Sequence, residues 1–240
     1  MNPGAPLARA LAAVSVIIFA CCVAPAAATG RLVNFSAADG TPLAGMLYEA
    51  SDSTAPGIVL VHMLGRSKDE WAWLAERLRD EGATVLAMDL RGHGGSGGNG
   101  GAFAPMTSDV RAAIDWLGAR PNVRANGLGV VGSSLGASVG ALAAADAAAV
   151  RAVALISPSL DYRGVRLDSA TMRKLSDRSV WMVASSEDPY ALRTVHELAG
   201  TAINREPRIS GIRGHGTSLL TADQDLARAL VEWLKAALAF

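Results

Sequence analysis

The sequence predicts an α/β domain: an eight-stranded, mostly parallel, doubly wound sheet with helices on both faces. Three observations lead there. Strand-like and helix-like segments alternate from residue 31 to the C-terminus, as they do when parallel strands are joined by crossover helices. Several strand candidates are short, continuous apolar runs, such as residues 57–62 (GIVLVH), which is how a strand buried on both faces reads. The intervening segments carry apolar residues at helical spacing. The chain has 240 residues, half of them apolar, enough for one well-filled core over residues 31–240. No repeat or linker divides it.

Residues 31–37 and 43–50 form an opening strand pair around Asp39-Gly40, a dipeptide that tolerates the positive φ of a hairpin turn. After the strand at 57–62, Ser67 and Glu70 have capping-box spacing. Trp71, Leu74 and Leu78 then share a helix face, and Gly82 ends that helix before a strand at 83–88. The glycine-rich stretch 91–101 is loop. Val110, Ala113, Ile114 and Leu117 give the buried stripe of a helix over 108–119. A strand at 128–132 is followed by an alanine-rich helix over 135–149, consistent with the high helix propensity of alanine. Further strands fall at 153–156, 180–184 and 208–212. Thr221 and Gln224 again show capping-box spacing, before a final helix whose apolar face is Leu226, Leu230, Trp233 and Leu238.

The first thirty residues differ from the rest. Arg9 precedes the apolar run ALAAVSVIIFA at 10–20, and Ala26, Ala27 and Ala28 follow, the pattern of an export signal over residues 1–28. Two other readings fit. Ile18-Phe19-Ala20-Cys21 resembles a lipoprotein signal in which Cys21 is lipidated. The apolar stretch 10–28 is nearly long enough for an uncleaved anchor, although Pro25 weakens that reading. All three place the domain outside the cytoplasm, in the periplasm or the extracellular medium, with a membrane engaged only through the N-terminus. Cys21 and Cys22 are the chain's two cysteines, so the domain beyond them has no internal disulfide. Lysine plus arginine balance aspartate plus glutamate at 22 each, which leaves no basic field for nucleic acid. No H-E-x-x-H or paired C-x-x-C motif occurs, so neither a metal nor another cofactor is expected.

The most informative motif is Gly132-Ser133-Ser134-Leu135-Gly136, a G-x-S-x-G pentapeptide between an apolar strand and a helix. So tight a turn strains its middle residue and requires small residues two before and two after it. It lifts the hydroxyl of Ser134 to a helix N-terminus, where the dipole favours developing negative charge. Ser133 does not fit that place, because its own flanking positions hold Val131 and Leu135. A serine nucleophile needs a base, and the base an orienting acid. His215 lies in Gly214-His215-Gly216 after the last strand. Asp188 follows the strand at 180–184 and precedes Pro189, so it serves either as the acid or as a helix cap; Glu187 and, further off, Asp161 are alternative acids. His62 reads as a partner for nearby loop backbone, His93 as structural, His196 as a surface residue, and Asp89 as paired within its own loop.

These motifs resemble those of the α/β-hydrolase family over essentially all of residues 31–240. His62-Met63-Leu64-Gly65 is similar to the family's His-Gly segment, and Asp89 to Ser96 (DLRGHGGS) to its D-x-R-G-x-G-x-S loop. The resemblance implies the order serine, acid, histidine, met by Ser134, Asp188 and His215. It also implies an oxyanion hole from the backbone N–H groups of Leu135 and Leu64. Met63 stands where the family usually has glycine. Serine as nucleophile sets the chain apart from members with aspartate, which dehalogenate or open epoxides, and from those with cysteine, which include dienelactone hydrolases. Only residues 157–179 separate two strands where many lipases carry a large cap. Room for one or two short helices makes the cap minimal and the site open.

The function expected on this resemblance is that of a serine hydrolase acting on small carboxylic esters through an acyl-enzyme. Thioesters or peptides would suit the same triad, and a non-catalytic binding protein is the reading from another class. Intact-mass analysis of the mature protein separates the N-terminal readings. Loss of residues 1–28 marks a cleaved signal, a diacylglyceryl adduct on an N-terminal Cys21 marks a lipoprotein, and an unshortened chain marks an anchor.

Overall fold

The domain opens with an antiparallel pair, β1 (Arg31–Ser36) and β2 (Pro42–Tyr48), paired from Arg31 with Leu47 to Ser36 with Pro42. Its connection turns at Asp39-Gly40, where Gly40 takes φ +81° and the Thr41 N–H donates to the Asp39 carboxylate. The computed structural model describes Met1, residues 30–200 and residues 204–240. The expected export segment, with Cys21 and Cys22, lies outside the described residues.

The remaining sheet strands are β3 (Ala55–Val61), β4 (Thr84–Met88), β5 (Val123–Ser133), β6 (Val150–Ile156), β9 (Ser179–Ser185) and β10 (Arg205–Ser210). They form one eight-stranded sheet in the order β1-β2-β4-β3-β5-β6-β9-β10. All pairings are parallel except those of β2 with β1 and β4. This is the α/β-hydrolase fold. The helices are α1 (Ala72–Asp80), α2 (Met106–Gly118), α3 (Leu135–Ala145), α4 (Ser169–Lys174), α5 (Pro189–Ala199), α6 (Thr217–Ala222) and α7 (Gln224–Leu238).

Strand alternation sorts the core into two layers. Val59, Val61, Val153 and Leu155 face α2, α3 and α5. Ile58, Leu60, Ala154 and Ile156 face α1, α6 and α7. Each strand is therefore apolar on both sides, and α7 buries Leu226, Leu230, Val231, Leu234 and Leu238 as a single stripe.

Several boundaries differ from the sequence expectation. The alanine-rich helix stops at Ala145 rather than 149. There the Asp146 carbonyl accepts from Arg111 and its carboxylate from Lys174, ties that helix propensity cannot report. β10 begins at Arg205, three residues before the expected 208, because it pairs with β9 from Val180 onward. Neither capping box forms. Ser67 caps a single 3-10 turn, Lys68–Trp71, through the Asp69 N–H, and Glu70 bonds elsewhere. Asp223, not Thr221, caps α7 by accepting from the Leu226 N–H. Between β6 and β9 stand a small hairpin, β7 (Asp161–Tyr162) with β8 (Val165–Arg166), and one helix, α4. The cover is thus part hairpin, where one or two helices were expected.

The glycine-rich loop after β4 is anchored by buried charge. Arg91 gives the fully buried Asp109 its backbone N–H and two guanidinium nitrogens, at 2.5–3.1 Å, and reaches Asp39 at 2.9 Å. Removing one partner of a buried pair leaves the other charge unmet in low dielectric. Asp109→Ala should therefore cost roughly 3–5 kcal/mol, read as a lowered urea midpoint with an unchanged slope.

Candidate active site

The sharp turn at Ser134 is dictated by two glycines. A Cβ on Gly132 would meet the Gly136 carbonyl oxygen at 2.2 Å, and one on Gly136 would meet the carbonyl oxygens of Val61 and His62 at 2.4 and 2.5 Å. With both positions bare, β5 turns directly into α3. Ser134, between them, is held at φ +53°, a region that non-glycine residues rarely occupy. Its N–H donates to the Ile156 carbonyl at 2.8 Å. Its side chain caps nothing on α3, which leaves the hydroxyl free.

That hydroxyl lies 2.9 Å from His215 Nε2. His215 Nδ1 lies 2.5 Å from Asp188 Oδ2. A carboxylate can only accept, so Nδ1 carries the imidazole proton and Nε2 is the acceptor for the serine hydroxyl. Asp188 sits at the end of β9 as the N-cap of α5, with Pro189 at the first helical position. Its Oδ1 accepts from the Ala191 N–H at 3.1 Å while its Oδ2 serves the imidazole. The cap reading and the acid geometry thus coexist. Glu187 is exposed, and among the described residues its carboxylate makes no hydrogen bond to His215; Asp161 is paired with Arg166 at 2.9 Å.

Hydrogen bonds to Ser133, Ser157 and Glu70 help hold the His215 loop. The Gly216 N–H donates to Ser157 Oγ at 2.9 Å, the Thr217 N–H to Ser133 Oγ at 3.1 Å, and the Thr217 hydroxyl to Glu70 Oε2 at 3.0 Å. Glu70 Oε1 accepts from the Met63 N–H at 2.9 Å. The Met63 amide is therefore engaged. The Leu64 N–H has no partner among the described residues, and Leu135, as the first residue of α3, presents an orphan N–H. The Met63 side chain fills the space beside Gly216, where a Cβ would meet its sulfur at 2.9 Å. Beside Ser134 lies a hollow of about 320 Å³ walled by Ser157, Pro158, Ser159, Tyr162, Tyr190 and His215. The Tyr190 hydroxyl donates to the Asp161 carbonyl, tying the hairpin to α5.

Comparison with known proteins places this geometry. The model of the family described as serine aminopeptidase, S33 matches residues 53–209, well over half the chain. The chain belongs to this family of α/β hydrolases. Solved structures give the same fold. An α/β hydrolase from a Penicillium species superposes with a TM-score of 0.73 at 17% identity, over 88% of this chain and 99% of that one. A Pyrococcus furiosus esterase gives 0.73 at 17% identity, over 87% and 91%. A dienelactone hydrolase from Anabaena variabilis gives 0.67 at 19% identity, over 88% and 100%. At these identities the likeness is one of fold. No curated protein sequence matches the chain.

The other histidines of this hydrolase have structural partners or none. His62 is fully buried; its Nε2 accepts from the Leu90 N–H at 3.0 Å and its Nδ1 donates to the Met63 carbonyl at 2.8 Å. It thereby stitches the loop after β3 to the loop after β4. His93 packs on it, ring centroids 5.1 Å apart, and accepts from the Gly65 N–H. His196 is exposed on α5. Asp89 accepts from the Gly95 N–H in its own loop, and also from the Lys68 backbone and ammonium across to the next. Sequence reasoning missed Glu70 as a bridge and Ser133, Ser157 and Thr217 as pins. Glu70 and Thr217 are separated by 147 positions, and no local pattern links them.

Burial pushes the His62 pKa from 6.5 to about 4. The unfolded chain then binds the extra proton first, so stability from this group is complete above about 6.5 and is lost as pH falls toward 4. The loss amounts to roughly 3 kcal/mol. Urea midpoints measured between pH 7 and pH 4 should fall more steeply for the wild type than for His62→Asn; parallel slopes would contradict this.

Proposed function

We propose that this protein hydrolyses carboxylic esters through an acyl-enzyme on Ser134. The observation that carries the reading is the unbroken chain from Ser134 Oγ to His215 Nε2, and from His215 Nδ1 to Asp188 Oδ2, at 2.9 and 2.5 Å. Ser134 Oγ attacks the ester carbonyl carbon as Nε2 takes its proton. The imidazolium so formed is stabilised by Asp188. The carbonyl oxygen becomes an oxyanion, met by the N–H groups of Leu135 and Leu64, and each such donor contributes on the order of 10²–10³ in rate. Collapse breaks the bond to the alcohol, which leaves with the proton from Nε2. Water, deprotonated by the same nitrogen, then releases the acid and restores the serine.

The hollow beside Ser134 suits a small acyl or alkyl group, and its tyrosines offer aromatic walls to a compact ester. Peptide hydrolysis is the second reading, favoured by the description of the matched family. An aminopeptidase has to meet the substrate's ammonium group with a carboxylate. The carboxylate nearest the hollow, Asp161, already accepts from the Gly164 N–H and from Arg166, which favours the ester.

The test is hydrolysis of p-nitrophenyl acetate and butyrate beside an aminoacyl p-nitroanilide. Ester turnover should dominate, and Ser134→Ala should lower it by about 10⁶ in kcat. Equal rates in the two proteins would remove Ser134 from the chemistry. Faster anilide turnover would move the assignment to peptides.

A further inference from the structure

The carboxylate of Glu70 joins the two loops on which the proposed chemistry depends. One oxygen holds the Met63 N–H, next to the free N–H of Leu64. The other holds the Thr217 hydroxyl, two residues from His215. The two loops also touch directly, with the Thr217 hydroxyl 3.9 Å from the Met63 sulfur and that sulfur packed against Gly216. Glu70 stands within the 3-10 turn, where Lys68 and Asp69 serve ion pairs and Trp71 fills the core. It is half-buried, and burial raises its pKa while the bonds from Met63 and Thr217 oppose that rise. A half-buried carboxylate is retained against its desolvation cost when it satisfies donors that have no other acceptor.

We propose that Glu70 is a positioning residue that clamps the oxyanion loop at Met63 to the histidine loop at Thr217, so that the Leu64 N–H and the His215 imidazole keep a fixed relation across Ser134. The proposal rests on the serine-hydrolase reading above for its catalytic consequence, but the clamp itself is a structural statement. Without the clamp, the Met63 N–H loses its acceptor, and the loop keeps only its ties to His62 through the Met63 carbonyl and to His93 through the Gly65 N–H. The Leu64 N–H then moves relative to where the oxyanion forms. An oxyanion is present in the transition state and not in the bound ester, so the loss falls on kcat and not on KM. Glutamine preserves the clamp: its carbonyl accepts from Met63, and its amide donates to the Thr217 oxygen, which is an acceptor as well as a donor.

The experiment compares wild type, Glu70→Ala, Glu70→Gln, Thr217→Val and the Glu70→Ala/Thr217→Val pair, each normalised to the sites titrated by a fluorophosphonate, so that misfolded chains drop out. Glu70→Ala should lower kcat by about 10- to 100-fold with KM within about twofold, since an ångström of misplacement costs up to about 10². Glu70→Gln should recover most of that loss. Thr217→Val should fall between, and the double variant should match Glu70→Ala because both remove one linkage. An unchanged kcat per titrated site in Glu70→Ala, or a Glu70→Gln as impaired as Glu70→Ala, would overturn the proposal. If Glu70→Ala fails to fold, an unchanged kcat in Thr217→Val would do the same. Amide exchange over the peptides containing Met63 and Thr217 reads the clamp without activity. It should quicken in Glu70→Ala or Thr217→Val and not in Glu70→Gln, and identical exchange in all would refute the clamp. A wild type that the fluorophosphonate leaves unlabelled would instead overturn the serine-hydrolase reading, with the clamp still decided by exchange.

Discussion

The close passage of Gly136 over the carbonyls of Val61 and His62 is the contact on which the rest of the site depends. It presses the start of α3 against the end of β3, and so fixes the helix that presents Ser134 relative to the loop that follows His62. Gly132 meets Gly136 in the same crossing, and Ser134 is left in the strained geometry that results. Such strain costs about 1–3 kcal/mol. It is held by the Ser134 N–H bond to Ile156 and by the burial of nearly every α3 residue against β5 and β6. A larger residue at either glycine would separate strand from helix and let the serine relax.

Parallel strands do the remaining assembly. β3, β5, β6, β9 and β10 all run the same way, so the loops that follow them emerge at one edge of the sheet. Those loops carry Leu64, Ser134, Ser157, Asp188 and His215. Residues 81 and 27 positions from His215 are thereby brought within hydrogen-bonding reach of it. The pins beneath the histidine loop are buried hydroxyls, Ser133 and Ser157, each accepting one backbone N–H. Replacing either with alanine would orphan an N–H in the interior, a penalty of about 1–3 kcal/mol.

The sheet was legible because its strands are apolar on both faces, and the elbow because glycine at two fixed spacings has a steric cause. Both signals are local. A local pattern gives way where another partner, near or far in the chain, competes with it. Ser67 and Glu70 have the spacing of a capping box, but the carboxylate gains more by receiving Met63 and Thr217 across the sheet edge. Thr221 and Gln224 have the same spacing, yet Asp223, two residues after Thr221, takes the cap. Chain order could not separate Glu187 from Asp188, because adjacent carboxylates differ only in which way the backbone points them. The start of α5 turns Asp188 toward His215 and leaves Glu187 in solvent. The hairpin between β6 and β9 was unreadable since two-residue strands have no periodicity to detect.

Asp188 joins secondary structure to chemistry in an economical way. One oxygen is committed to the first turn of α5, and that commitment fixes both torsions of a short side chain. The second oxygen is then delivered to the imidazole already immobilised. In the proposed hydrolysis, ordering an acid and a base in each turnover would otherwise draw on rotamer entropy, of the kind that substrate binding has to overcome. Here the ordering is completed during folding, when α5 forms, so the encounter complex need supply none of it.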